Sequence, residues 1–314
     1  MFRKLFVLAL FIIALHIAAV STLGTSPAGS FVGNLLQIVS CGLAVAACFA
    51  ASRRAFGLSR PFWLFVGCGL AIWGVANLGW TYYETVLRME PPPGSVVRFL
   101  FGTQSIFFAL AVFLNPDKDS SNLDPESVLD FMQIGIVFFF IYVGFYYLPA
   151  HHLEARSAFA REIWVETGEN AALVALALVQ VARARVENVR KLYRGFAVYL
   201  LIFTIFACGA SYVQLMWDLP TGTWFDLAWT VPLLGAALWA ARWQPTTAPR
   251  TLLSLRPKGF GDLVLTNATL ALAPLIVLLQ VAQLGTEWRA LRFTLLGVSI
   301  VCYAARLGVT QYRQ

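Results

Sequence analysis

Asn77, Trp80 and Glu84 lie three and four residues apart in a largely apolar stretch, a spacing that puts all three on one helix face. Trp73 and Tyr83 flank them. A second stretch repeats the plan. Tyr212, Gln214 and Trp217 close one apolar run, Pro220, Thr221 and Gly222 break it, and Trp224, Phe225 and Asp226 open the next. Polar side chains inside a membrane face protein or a water-filled cavity. Aromatic walls with an amide and a carboxylate at the mouth would suit a small amphipathic or cationic ligand. Trp73, Asn77, Trp80, Tyr83, Glu84, Tyr212, Gln214, Trp217, Trp224 and Asp226 are therefore the expected ligand-binding residues of an outer pocket. An interfacial aromatic belt is the competing reading of the same residue types.

Other chemistry is thinly represented. The chain has no nucleotide-binding loop, no Gly-x-Ser-x-Gly, no His-Glu-x-x-His and no duplicated metal-ligand spacing, so no catalytic residue, metal or cofactor is expected. The stretch Pro149–Glu169 holds His151, His152, Glu154, Glu162, Glu166 and Glu169. His151 with Glu154 is at most half a metal site, and the stretch reads as a solvated amphipathic loop. His16 reads as a packing residue in the first span. Cys41, Cys48, Cys68, Cys208 and Cys302 all sit in apolar runs with no Cys-x-x-Cys, which points to packing rather than redox work.

The elements that must position these residues are set by composition. The 314 residues are 59% hydrophobic and 12% charged, with a mean hydropathy of +0.71. A soluble domain carries roughly 25% charged residues, so the chain reads as an all-α integral membrane protein. A span needs roughly 20 mostly apolar residues. That criterion predicts about ten, near Leu5–Val20, Phe31–Ala51, Pro61–Leu87, Ser95–Leu114, Val128–Leu148, Ala160–Ala182, Tyr193–Trp217, Thr223–Ala241, Asp262–Leu284 and Trp288–Leu307. The first follows Arg3 and Lys4 like a signal-peptide core and is read as an uncleaved anchor. The sixth is loaded with acids at its beginning, so its start is expected nearer Glu169.

A net charge of +7 does not imply nucleic acid, because the basic residues cluster in short loops between apolar runs. Of the Lys and Arg, only Arg88, Arg98, Arg156, Arg161, Arg289 and Arg292 fall on the side opposite the N-terminus. The bias predicts cytoplasmic termini in a bacterial inner membrane, with the Trp80–Ser95 and Trp217–Trp224 tips outward.

The chain also resembles itself. At an offset of about 132 residues, Arg53 falls on Arg185, Trp80 on Tyr212, Pro125 on Pro257 and Asp130 on Asp262. Two tandem four-helix units of the same orientation are expected at 31–150 and 151–285. An N-terminal helix over 1–30 would precede them, and a last span with an exit helix over 286–314 would follow. Asp130 and Asp262 are expected to cap the fourth helix of each unit, where a carboxylate complements the helix dipole.

The run Ala71-Ile-Trp-Gly-Val-Ala-Asn-Leu-Gly-Trp-Thr-Tyr-Tyr-Glu84, then Pro91-Pro-Pro-Gly-Ser-Val-Val-Arg-Phe-Leu-Phe101 and Asn115-Pro116, resembles the multi-span N-terminal sensory regions of bacterial diguanylate cyclases. Similar regions precede histidine kinases. The likeness covers roughly Arg53–Tyr147, and it departs from the pattern at Val97 or Arg98, where an acidic residue is usual. It implies a sensor in the lipid bilayer that takes a small-molecule or lipid cue and controls a cytoplasmic cyclase or kinase domain outside this chain. It further implies a homodimer, no nucleic-acid partner and no enzyme activity in these residues. A transporter or channel is the rival class. Against it, the mid-span polar residues Gln104, Gln133, Tyr212, Asn267 and Gln280 are sparse and uncharged.

Overall fold

The computed structural model describes residues 2–114, 125–143, 155–184, 186–217, 219, 221–244 and 289–313, and every regular element among them is helical. In chain order these are α1 (Phe2–Leu23), α2 (Pro27–Arg54), α3 (Ser59–Tyr82), α4 (Val96–Val112), α5 (Pro125–Ile141), α6 (Ala155–Arg183), α7 (Glu187–Trp217), α8 (Leu227–Arg242) and α9 (Arg289–Arg313). A wide π turn, Tyr83–Leu87, extends α3, and a 3-10 turn, Trp224–Asp226, leads into α8. Six of the described helices (α1, α2, α3, α6, α7 and α8 with its 3-10 turn) are long and apolar enough to cross a membrane. The α4 and α5 helices, with 17 residues each, are shorter than a full span, and the expected span Asp262–Leu284 lies outside the described residues.

Two compact units emerge from the packing. One comprises 1–121 and 146–244 and holds α1–α4 and α6–α8. The other comprises 122–145 and 245–314 and holds α5 packed on α9. The α5 helix begins at Pro125, which places Asp130 in its second turn, beyond the four free amides that a cap serves; Asp262 lies outside the described residues.

The first unit is organised around α2. Its buried residues include Gly33, Ser40, Cys41, Ala44, Ala47, Cys48 and Ala51, a small-residue stripe at three- and four-residue spacing. In lipid no hydrophobic force drives helices together, so close backbone approach over small residues supplies the packing. Along this stripe α2 receives α1, α3 and α8. Its start is fixed by Ser26, whose hydroxyl accepts from the Gly29 amide at 3.1 Å, and by Pro27 in the first turn. Phe6, Leu10 and Phe11 of α1 and Leu201, Ile205 and Phe206 of α7 point outward as the apolar surface that lipid would cover.

Helix direction sorts the unit into two ends. The α2, α6 and α8 helices finish at Arg54, Arg183 and Arg242, and α7 starts with Arg190, Lys191 and Arg194, so these basic residues gather at one end. Contacts tie that end together: Arg54 donates to the Ala240 carbonyl at 3.2 Å, Gln180 to Val112 at 2.7 Å and the Tyr193 hydroxyl to Leu114 at 3.0 Å. Above it lies an aromatic layer. Phe62 meets Phe196 edge-on with ring centroids 5.2 Å apart, Trp63 meets Trp239 at 4.4 Å, and Phe108 meets Phe196 at 5.7 Å. Phe62, Trp63, Phe108 and Phe196 are essentially inaccessible.

Candidate functional site

A cavity of about 120 Å³ opens in the other half of this unit. The α3 helix brings Trp73, Asn77 and Trp80 to it, α4 brings Arg98 and Phe101, and α2 brings Gln37. From the second half of the chain come Phe159, Glu162, Ile163 and Glu166 on α6, Ser211 and Gln214 on α7, Thr221 and Asp226 from the turn, and Trp229 on α8. At 1.5 Å per residue, Trp73 stands about 15 Å along α3 from Trp63 in the aromatic layer.

Arg98 dominates one wall. Its guanidinium lies 5.2 Å from the Trp80 ring centre and 5.5 Å from that of Phe159. Nη1 donates to Glu162 Oε2 at 2.6 Å, Nε donates to the Pro91 carbonyl at 2.8 Å, and Glu90 sits 3.6 Å from Nη2. This buried cation is thus held by charge, by a carbonyl and by two aromatic faces at once.

The opposite wall is built on the turn between α7 and α8. Gly222 takes a positive φ of 89°, which turns its amide toward Asp226 Oδ2 at 2.7 Å. Thr221 donates to Glu84 Oε1 at 2.8 Å and lies 3.3 Å from the Ser30 hydroxyl, while Asn34 donates to the other Glu84 oxygen. Next to Asp226, His16 is fully buried and its Nδ1 pairs with the Thr230 hydroxyl at 2.9 Å. Gly33 of α2 faces this corner, where a methyl in its place would lie in ordinary contact with Asp226 Oδ2 at 3.4 Å and His16 Nε2 at 3.5 Å.

The chain matches no family model, no curated protein and no solved structure. The site therefore has to be read from its own chemistry.

Of the residues expected at an outer pocket, Trp73, Asn77, Trp80, Gln214 and Asp226 line the cavity. Glu84 stands one bond behind it, clamping α2 to the Thr221 turn. The π turn begins at Tyr83, so the single-face spacing of Asn77, Trp80 and Glu84 does not carry through to a shared wall. Tyr83 packs edge-on with Tyr82 away from the cavity lining. Tyr212, Trp217 and Trp224 are exposed by 51%, 67% and 56%, the disposition of an aromatic belt.

Several lining residues escape a linear reading, above all Arg98, Glu162, Glu166 and Trp229. Glu162, Glu166 and Glu169 belong to α6, which starts at Ala155, and not to a solvated loop or to the approach of a span beginning near Glu169. Hydropathy averages over the whole turn, whereas these acids share one face at i, i+4 and i+7. Polar residues at matching positions of the expected repeat are the sequence signal closest to these acids. At the offset of about 132 residues that suggested a repeat, Ser30, Asn34 and Gln37 fall on Glu162, Glu166 and Glu169. His151, His152 and Glu154 lie outside the described residues.

Proposed function

We propose that this chain is a sensory module of a bacterial inner membrane that binds its cue in the Trp73–Asp226 cavity. The N- and C-termini lie in the cytoplasm, and occupancy is passed through the C-terminal helix to a cytoplasmic output of the diguanylate cyclase or histidine kinase type, working as a homodimer. One observation carries the reading: Asn77, Gln214 and Asp226 converge on a cavity in one half of the unit, while Phe62, Trp63, Phe196 and Trp239 fill the half beneath it. A site floored by packed rings suits binding and release on one side. A carrier needs a polar path to the other side as well.

A cue acts only through its different affinities for two packing states, and about 1.4 kcal/mol of difference shifts their ratio tenfold. The test is a chimera that joins Arg313 in helical phase to a catalytic cyclase domain. Cavity variants Asn77→Leu and Gln214→Leu should shift basal cyclase output several-fold at equal expression. Output that ignores both variants removes sensing, and accumulation of solute in proteoliposomes replaces it with transport.

A further inference from the structure

Resting on the reading of this cavity as a binding site, we propose that its ligand is a small organic cation, such as an alkylammonium or quaternary ammonium group, and not a metal ion, an anion or a neutral solute. The charge balance comes first. Glu162 is matched by Arg98. Among the described residues, Glu166 and Asp226 face the same space with no ion pair to a cation, and Glu166 makes no hydrogen bond. Asp226 is only 3% exposed and is engaged at Oδ2 by the Gly222 amide, while its Oδ1 makes no hydrogen bond among the described residues. The site therefore presents two acidic groups with which an incoming cation could pair and an anion could not.

The kind of cation follows from the walls. No group of three Asp, Glu, His or Cys side chains is close enough to ligate a metal among the described residues, so the acids by themselves make a poor substitute for a metal ion's hydration shell. The rings of Trp73, Phe101 and Trp229 line the same cavity. Aromatic faces next to carboxylates favour a diffuse, weakly hydrated ammonium over a compact ion. Arg98 shows the same preference from within the chain, because its own cation already lies against Trp80 and Phe159 beside Glu162. The size is bounded as well. An apolar cavity of about 150 Å³ takes up benzene, so about 120 Å³ admits roughly half a dozen non-hydrogen atoms.

Tetramethylammonium and choline fall in that range, and 3,3-dimethylbutan-1-ol has the shape of choline without its charge. The full chain in phosphatidylglycerol nanodiscs is titrated with each, with tryptophan emission as the readout. Both cations should shift the emission saturably, and the neutral alcohol should bind at least tenfold more weakly. Glu166→Gln and Asp226→Asn should each weaken choline at least tenfold while the thermal unfolding midpoint stays unchanged. Nanodiscs of phosphatidylcholine separate the two sources of such a group: competition there assigns a lipid headgroup, indifference a free solute, and either supports the charge class. Equal binding of choline and the neutral alcohol overturns the cation inference and leaves the binding site intact. The same holds if neither binds while the cyclase chimera still responds to Asn77→Leu. Binding followed by uptake into proteoliposomes keeps the cation and removes the sensor.

Discussion

Arg98 is buried between two aromatic faces with its charge answered by Glu162, so removing either partner strands the other. Stranding a buried charge costs about 3–5 kcal/mol, and the 20% exposure of the Glu162 side chain puts this pair at about 3. Arg98→Met should lower thermal stability in detergent by that amount, and the double variant Arg98→Met with Glu162→Leu should recover most of it. A double variant no better than the single one would mean that the guanidinium works through its rings and the Pro91 carbonyl, and not through the ion pair. Thr221 poses a milder case. Thr221→Val deletes one hydroxyl that serves Glu84 and Ser30, leaving the carboxylate short of a donor. A loss of about 1–2 kcal/mol in the same unfolding assay is expected.

Among the elements, close approach decides the packing. Gly195 on α7 lies under the Trp239 indole, and a methyl at Gly69 would come within 2.8 Å of the Phe108 ring. Gly195→Ala must push Trp239 out of its stack on Phe196, where the ring centroids are 6.1 Å apart. Overpacking of this kind costs about 1–3 kcal/mol. Because Phe196 floors the cavity half, the variant should also loosen the unit, seen as faster hydrogen exchange in α7 and α8. Exchange unchanged from the native chain would show that the indole has room to swing aside. At the start of α2, Ser26→Ala removes the cap on Gly29 and should cost about 1 kcal/mol.

For the molecule as a whole, the basic end and the cavity end of the first unit make the orientation testable. On a background without the five native cysteines, Met89→Cys and Trp217→Cys, both at exposed positions, should react with a membrane-impermeant maleimide in intact cells. Phe56→Cys, 78% exposed at the basic end, should react only after the membrane is opened. The reverse pattern would put the cavity on the cytoplasmic side and require the cue to come from within.

The membrane character was legible without coordinates. Composition alone argues for membrane-spanning helices, and the C-terminal ends of α2, α3 and α7 fall near the expected ones because the basic loop and the Pro91–Gly94 and Pro220–Gly222 breaks act locally, whereas α2 starts at Pro27 and α7 at Glu187, ahead of the expected Phe31 and Tyr193. Asn77 and Trp80 were readable as one face for the same reason, since helical spacing is a local rule, while Glu84, expected on that face, is not among the cavity's lining residues. Only the tertiary structure divided the aromatic residues between a cavity and an exposed belt. Tyr212 and Gln214 are two residues apart on one helix, yet one meets solvent or lipid and the other the cavity, according to which side of α7 its neighbours cover. It likewise turned Glu162 of α6 inward to meet Arg98, a pairing 64 residues apart in the chain. Charge patterning along a sequence reports how many carboxylates there are. Which of them finds a cation, and which are left facing an aromatic cavity, is fixed only when the helices close around them.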